Sequence, residues 1–271
     1  MKLSISNIAW SENEDEQVYS LMQKYGFTGL EIAPTRIFPN EPYGDLDRVK
    51  EWAVNLESEY GFVIPSMQSI WFGRQEKLFG SSKEREILSD YTKKAVDFAS
   101  AAGCSNLVFG CPRNRALPEG ADRNAGREFF HELGEYALSK STDKNRIYIG
   151  MEANPPIYNT NYINTTAEAF ELIREVESDG FKLNLDVGTM IENHEELSVI
   201  EGKIHKISHV HISEPHLKVI EKRTFHKELK CCLEEGGYDG FISIEMGNQP
   251  DNKDKLKVLE YTMAYVKEIF G

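Results

Sequence analysis

Four apolar runs in the sequence end in side chains that bind metals. Ile147 to Met151 runs into Glu152, Lys182 to Leu185 into Asp186, and Phe241 to Ile244 into Glu245. The fourth run, Ser208 to Ser213, carries His209 and His211 and breaks into Glu214-Pro215-His216. Side chains alternate along a strand, so His209, His211 and Ser213 share one face and Ser208, Val210 and Ile212 the other. Singly, each residue has an ordinary explanation: a strand-end glutamate can cap a helix, an aspartate near glycine is common turn chemistry, and a histidine can sit satisfied in a core. Together they are ligand-type groups at the ends of four successive strands, which in a parallel barrel all point to one mouth. Three unpaired carboxylates there would be costly, because like charges and desolvation both oppose ionisation. One divalent cation held by Glu152, Asp186, His211 and Glu245 removes that cost. Three carboxylates and an imidazole form a hard, oxygen-rich set that favours Mn²⁺ or Mg²⁺ and also admits Co²⁺ or Zn²⁺. Such an ion polarises a carbonyl, acidifying the neighbouring C–H, and carboxylates beside that carbon can carry the proton. The chemistry implied is enolisation of a hydroxy-carbonyl compound.

The elements that must position these groups alternate along the chain. Strands are expected at Leu3–Ile8, Thr28–Ala33, Phe62–Gln68, Asn106–Gly110, Arg146–Glu152, Phe181–Asp186, Lys206–Ser213 and Phe241–Glu245. Helices are expected between them: from the acidic Glu12–Glu16 to Tyr25, then Asp45–Tyr60, Lys83–Ala102, Asp122–Ser139, Thr166–Glu177, a short Glu195–Lys203, Phe225–Glu235 and Lys253–Phe270. Eight strand–helix units predict a parallel sheet with right-handed crossovers, closed as a single (β/α)8 TIM barrel over residues 1–271. A chain of 271 residues suits that fold, which typically takes about 250. No glycine-rich phosphate fingerprint follows the first strand, which argues against a Rossmann sheet.

A formal net charge of −13 disfavours a nucleic-acid partner, since such binding relies on Lys and Arg neutralising phosphates. Four cysteines without a CxxC spacing suggest neither a disulfide framework nor a zinc ribbon. The polar N-terminus and the lack of a long apolar run point to a cytoplasmic protein without a membrane partner.

Glu152-Ala-Asn-Pro155, Leu185-Asp-Val-Gly188, His209-Val-His-Ile-Ser-Glu214 and Gly237-Tyr-Asp-Gly-Phe-Ile-Ser-Ile-Glu245 resemble motifs of the sugar phosphate isomerase/epimerase family with the xylose isomerase-like barrel. Its relatives include ketose 3-epimerases, hydroxypyruvate isomerase, inosose dehydratase and endonuclease IV, and the resemblance covers nearly the whole chain. It implies the same four metal ligands, and a catalytic pair, Glu152 and Glu245, that face each other across the substrate and exchange its proton. Two positions depart from the pattern. Thr189 stands where the epimerases and endonucleases carry a histidine, and His216 stands near an arginine of the epimerases.

Substrate contacts are expected from the loops of the same mouth: Glu31, Trp71, Arg113, Arg115, Asn154, His216 and His226. Gln68, Phe72, Arg36 and Arg74 lie nearby in the sequence. Arg113 and Arg115 carry forked donors that suit a carboxylate or phosphate. Trp71-Phe72 suggests either a ring covering a sugar or contact with a second subunit of a homo-oligomer. The expected activity is metal-dependent isomerisation or epimerisation of a small sugar, sugar acid or sugar phosphate. The alternatives are a polyol or inosose dehydratase, an endonuclease IV-like enzyme and a non-enzymatic carbohydrate binder.

Overall fold

Alternating β-branched runs and amphipathic helices assemble into eight parallel strands with helices packed around them. The structure is a computed structural model and describes residues 1–249 and 252–271. The strands are β1 (Lys2–Ser6), β2 (Gly29–Glu31), β3 (Ser66–Met67), β4 (Asn106–Phe109), β5 (Tyr148–Met151), β6 (Phe181–Asp186), β7 (Ile207–Ser213) and β8 (Phe241–Glu245). They hydrogen-bond in the order β2-β1-β8-β7-β6-β5-β4-β3. The two outer strands of that order meet through isolated parallel bridges, Gly29 with Val63 and Ile32 with Met67, so the sheet curls into a barrel. The short β3 accounts for the looseness of this seam. Pro65 lies in the middle of the expected Phe62–Gln68 strand and cannot donate to a ladder.

The helices among the described residues are α1 (Asp15–Tyr25), α2 (Pro34–Ile37), α3 (Leu46–Tyr60), α4 (Ser82–Ala102), α5 (Asn124–Ser139), α6 (Thr166–Val176), α7 (Val187–Glu192), α8 (Thr224–Glu235) and α9 (Lys255–Phe270). Capping boxes start α4 (Ser81 with Glu84) and α6 (Thr165 with Glu168), each satisfying backbone donors at the helix start. Gly26 ends α1 at φ 73°, a left-handed turn that glycine enters without steric cost. The sixth crossover differs from the expected Glu195–Lys203 helix. Its α-helix is α7, immediately after β6, and the later segment forms 3-10 turns at Leu197–Val199 and Ile204–Lys206. Asp186 causes the early start: its carboxylate accepts from Thr189 N–H and caps the helix.

Strand register aligns the groups of interest. Asp186 lies beside His211 across β6 and β7, and Ser213 beside Glu245 across β7 and β8. The β6–β7 ladder shifts by one residue between Leu183 and Asn184. An unshifted ladder would set Asp186 beside Val210, on the other face of β7 from His211. The irregularity therefore re-aims the end of the strand toward the barrel interior. Buried apolar residues, among them Ile5, Leu107, Ile149, Leu185, Val210 and Ile244, pack the sheet against its helices. No helix among the described residues is long and apolar enough to cross a membrane.

Candidate metal centre

Glu152, Asp186, His211 and Glu245 each offer one ligating atom, and these atoms lie within 4.8 Å of one another, all buried. His211 is central to the cluster. Its Nδ1 is 3.2 Å from Glu152 Oε2 and 3.2 Å from Glu245 Oε2, while Nε2 is 2.8 Å from Glu31 Oε2. Neighbouring groups hold each carboxylate in place. Asn154 Nδ2 donates to Glu152 Oε1 at 2.7 Å, and Asn184 Nδ2 to Oε2 at 3.1 Å. Gly110 makes room for this glutamate, since a Cβ there would sit 2.9 Å from Oε1. Asp186 accepts from Thr189 N–H at 2.8 Å and from the Ser213 hydroxyl, and Thr189 Oγ1 lies 2.7 Å from its Oδ2. Among the described residues, the only side-chain partner of Glu245 is His211.

The electrostatics follow from this crowding. Burial opposes charge on His211, but Glu31 and Glu245, helped by Glu152, outweigh it and raise its pKa well above the usual imidazole value. Burial likewise opposes charge on Glu31, yet His211 and His209 hold its carboxyl well below the usual range. Glu245 is raised to about 7, by burial first, with His211 opposing the rise and Glu152 and Asp186 adding to it. Asp186 is raised by burial and by Glu152, against the lowering effects of His211, Ser213 and Thr189. Two carboxyls pushed toward protonation beside an imidazole pushed toward the cation mark a site short of positive charge. The donor set fits a hard divalent cation: three carboxylates and one imidazole nitrogen converge, with the other imidazole nitrogen already paired to a carboxylate.

Two cavities share Glu152, Glu245 and Pro112. The larger, about 440 Å³, extends under the loops after β3 and β4 and is bordered by Gln68, Trp71, Arg74, Lys77 and Arg113. The smaller, about 150 Å³, is bordered by Asn154, Tyr158, Asp186 and Leu217. Arg113 and Asn154 thus face the mouth, as the sequence suggests. Trp71 also borders the larger cavity, but it is buried, with its indole N–H on Thr92 Oγ1 at 2.7 Å; the exposed ring of the pair is Phe72, 70% accessible.

Three of the other expected substrate contacts, Arg115, Glu31 and His226, need correction. Arg115 is fully buried, and its guanidinium donates to the carbonyls of Gly110, Tyr162, Ile163 and Glu152 and to Asn154 Oδ1. All its donors are engaged, so it braces the loop instead of meeting substrate. Glu31 is fully buried behind His211 and serves that ring. His226 is buried between α8 and α9, with Nδ1 2.9 Å from Tyr265 Oη, and does not face the mouth. The His216 ring is exposed, and its backbone N–H donates to Tyr158 Oη at 2.8 Å. The Thr189 hydroxyl lies between Asp186 and the Ala153 carbonyl, so it holds the Asp186 carboxylate in place. Asn184, Tyr158 and Lys77 were missed from the sequence, and Ser213 was placed only on the strand face of His211. Of the missed three, Asn184 alone carried a signal, lying two residues before Asp186 on the same strand face.

Comparison with known proteins gives a consistent picture. A family profile described as xylose isomerase-like TIM barrel matches residues 19–268. No curated protein matches the sequence significantly. Among solved structures, D-psicose 3-epimerase from Clostridium cellulolyticum H10, crystallised with D-tagatose, superposes with a TM-score of 0.76 at 16% identity, covering 100% of this chain and 99% of its own. 3-Keto-D-glucoside 4-epimerase from E. coli gives 0.74 at 16% identity, covering 99% of each chain. An AP endonuclease, family 2, from Brucella melitensis gives 0.72 at 21% identity, again covering 99% of each. These likenesses establish the shared fold, and the profile match spans the strands that carry all four ligand-type residues. The chain belongs to the xylose isomerase-like TIM barrel family.

Proposed function

We propose that the protein is a divalent-metal-dependent isomerase or epimerase of a small carbohydrate, working by proton transfer beside a carbonyl. The observation that carries this reading is the convergence of Glu152, Asp186, His211 and Glu245 at the junction of two cavities. The sugar epimerases among the superposed structures support it. Glu152, Asp186, His211 through Nδ1, and Glu245 would hold the ion, with Mn²⁺ or Mg²⁺ best matched to the oxygen-rich set. When bound, the cation supplies Lewis acidity toward a substrate carbonyl.

The chain's own residues do the rest. Glu152 comes from the end of β5 and Glu245 from the end of β8, and both border both cavities. One carboxylate removes the proton from the carbon next to the carbonyl. The proton then returns either to the other face of that carbon, giving the epimer, or to its neighbour, giving the isomer. Asn154 and Asn184 keep Glu152 oriented during the transfer. Thr189 and Ser213 do the same for Asp186.

The test is deuterium exchange in D2O by the Mg²⁺- or Mn²⁺-loaded protein across a panel of ketoses, keto-acids of sugars and sugar phosphates, followed by NMR. The expected result is deuterium at the carbon beside the carbonyl with substrate or its epimer recovered. Glu152→Gln and Glu245→Gln should lower the rate by about 10²–10⁴-fold, the usual range for an acid–base group. Net loss of water from a substrate would favour the dehydratase. Absence of exchange in every compound would end the proton-transfer reading.

A further inference from the structure

We propose that the substrate is anionic, and that Arg113 with Lys77, on the loops after β3 and β4, receives its phosphate or carboxylate group in the larger cavity. This names the substrate class of the proposed site and rests on that reading for where the reacting end lies. The carboxylates and cations that line the larger cavity come from different elements. Its acidic lining residues are Glu152 and Glu245, which belong to the cluster, whereas Arg74, Lys77 and Arg113 lie on the loops after β3 and β4. Their pairing differs. Arg74 is bound bidentately to Glu76, so that pair is neutral as a unit. Lys77 Nζ donates to the Arg113 carbonyl at 2.8 Å and makes no salt bridge among the described residues, although its charge helps to lower the pKa of the Glu84 carboxyl, which accepts the Lys77 backbone N–H at 3.2 Å. The Arg113 guanidinium makes no ion pair or hydrogen bond among the described residues. Two cations without a salt bridge among the described residues are notable on one wall of a chain of net charge −13, and of the two Arg113 is the less compensated.

The wall is also built to hold its shape. Asn114 Nδ2 donates to the Arg74 carbonyl at 3.1 Å and the Glu76 carbonyl at 2.9 Å, and Leu78 N–H donates to the Asn114 carbonyl at 2.8 Å. These bonds and the Lys77–Arg113 contact zip the two loops together. Arg115 fixes the base of the second loop from below, through the Gly110 and Glu152 carbonyls. Cys111 in the left-handed region at φ 44°, followed by Pro112, sets the turn from which Arg113 projects. The backbone that carries Arg113 is thus held in place, while its guanidinium and the Lys77 ammonium are exposed and free to meet a phosphate or carboxylate, for which forked and point-charge donors are suited. A neutral sugar would use neither charge.

The experiment compares neutral and anionic forms of one skeleton: D-fructose, D-fructose 6-phosphate and D-fructuronate. Isothermal titration on the Mg²⁺-loaded protein reads affinity, and deuterium exchange reads turnover. The wild type is expected to prefer one or both anionic forms over D-fructose, and which of the two it prefers separates phosphate from carboxylate. Arg113→Gln should weaken the preferred anion about 10- to 100-fold, the scale of a charge-assisted hydrogen bond, and collapse its ratio to D-fructose. Lys77→Gln should do so more weakly, and Arg113→Lys should restore part of the ratio. Equal or better handling of D-fructose by the wild type, or an unchanged ratio in Arg113→Gln, would overturn the proposal while leaving an isomerase of neutral sugars standing. Anion binding lost in Arg113→Gln, without exchange in any compound, would instead uphold the anion site and remove the proton-transfer reading.

Discussion

His211 reaches its neighbours through both ring nitrogens, and Glu31 decides how it does so. The Glu31 carboxylate is fully buried, 2.8 Å from His211 Nε2, and also accepts from Gln68 Nε2 at 2.9 Å. A proton kept on Nε2 leaves Nδ1, between Glu152 and Glu245, to act as a ligand. Glu31→Gln preserves the shape and removes the charge, so Mn²⁺ should bind about 10- to 100-fold more weakly, as for loss of a carboxylate behind a metal-bound histidine. Competition against a chelator measures this, and unchanged affinity would show that packing alone orients the ring. A second prediction concerns protons. Its carboxylate neighbours push metal-free His211 toward the doubly protonated form, and Glu245, raised to about 7, is partly protonated at neutral pH. Ligation requires both groups to release protons, so affinity should rise from pH 6 to pH 8. Proton release should be greater at pH 6 than at pH 8, where Glu245 has already ionised. Titration calorimetry in buffers of different ionisation enthalpy counts them; pH-independent affinity would remove His211 from the ligand set.

At the scale of elements, Arg115 is the main reason the mouth keeps its form. It ties the loop after β4 to the end of β5 and to the Tyr162–Ile163 segment, all through backbone acceptors and Asn154. Burial lowers its pKa only to about 10, so it remains a cation at neutral pH. Arg115→Met would strand several buried acceptors at once and should cost about 3–5 kcal/mol, the range for breaking a buried charged network. Urea denaturation of the two proteins tests this, and a loss below about 1 kcal/mol would mean that water replaces the guanidinium. Arg115 also illustrates what local patterns can convey. The strand ends at Glu152, Asp186, His211 and Glu245 were readable because apolar runs ending in a polar tip have a period and a direction. Cys111-Pro-Arg-Asn-Arg115 has neither, and nothing in it separates the exposed Arg113 from the buried Arg115. That difference is set by carbonyls some forty residues away. The sixth crossover was misplaced for a similar reason. A carboxylate that caps α7 from inside the metal-type cluster resembles, in sequence, an ordinary strand end. The register shift at Asn184 depends on how two strands pair and leaves no mark on either one.

For the molecule as a whole, the cluster sets function against stability. Glu245 is raised from the ordinary glutamate value to about 7 by burial beside other carboxylates. Between its unfolded value near 4.5 and about pH 7 the folded metal-free protein binds more protons than the unfolded chain, so this group lowers stability as pH rises through that window. A cation held as proposed would act in the opposite direction: it would bind only the assembled site, and proton competition would weaken as pH rises. The gap between metal-free and metal-loaded melting temperatures should therefore widen from pH 6 to pH 8. At a free metal concentration of about 100 times Kd the stabilisation is about 2.7 kcal/mol, or about 5–10 °C for a chain of this size. Glu245→Gln removes one crowded carboxylate, so its metal-free form should melt above metal-free wild type at pH 8 and gain much less from metal. Calorimetric scans of chelator-treated and Mn²⁺-loaded proteins at the two pH values supply all four comparisons. A wild-type melting temperature indifferent to Mn²⁺ at pH 8 would mean that the four groups meet for some purpose other than holding a metal. A metal-free Glu245→Gln variant less stable than wild type at that pH would show that His211 more than compensates the crowding.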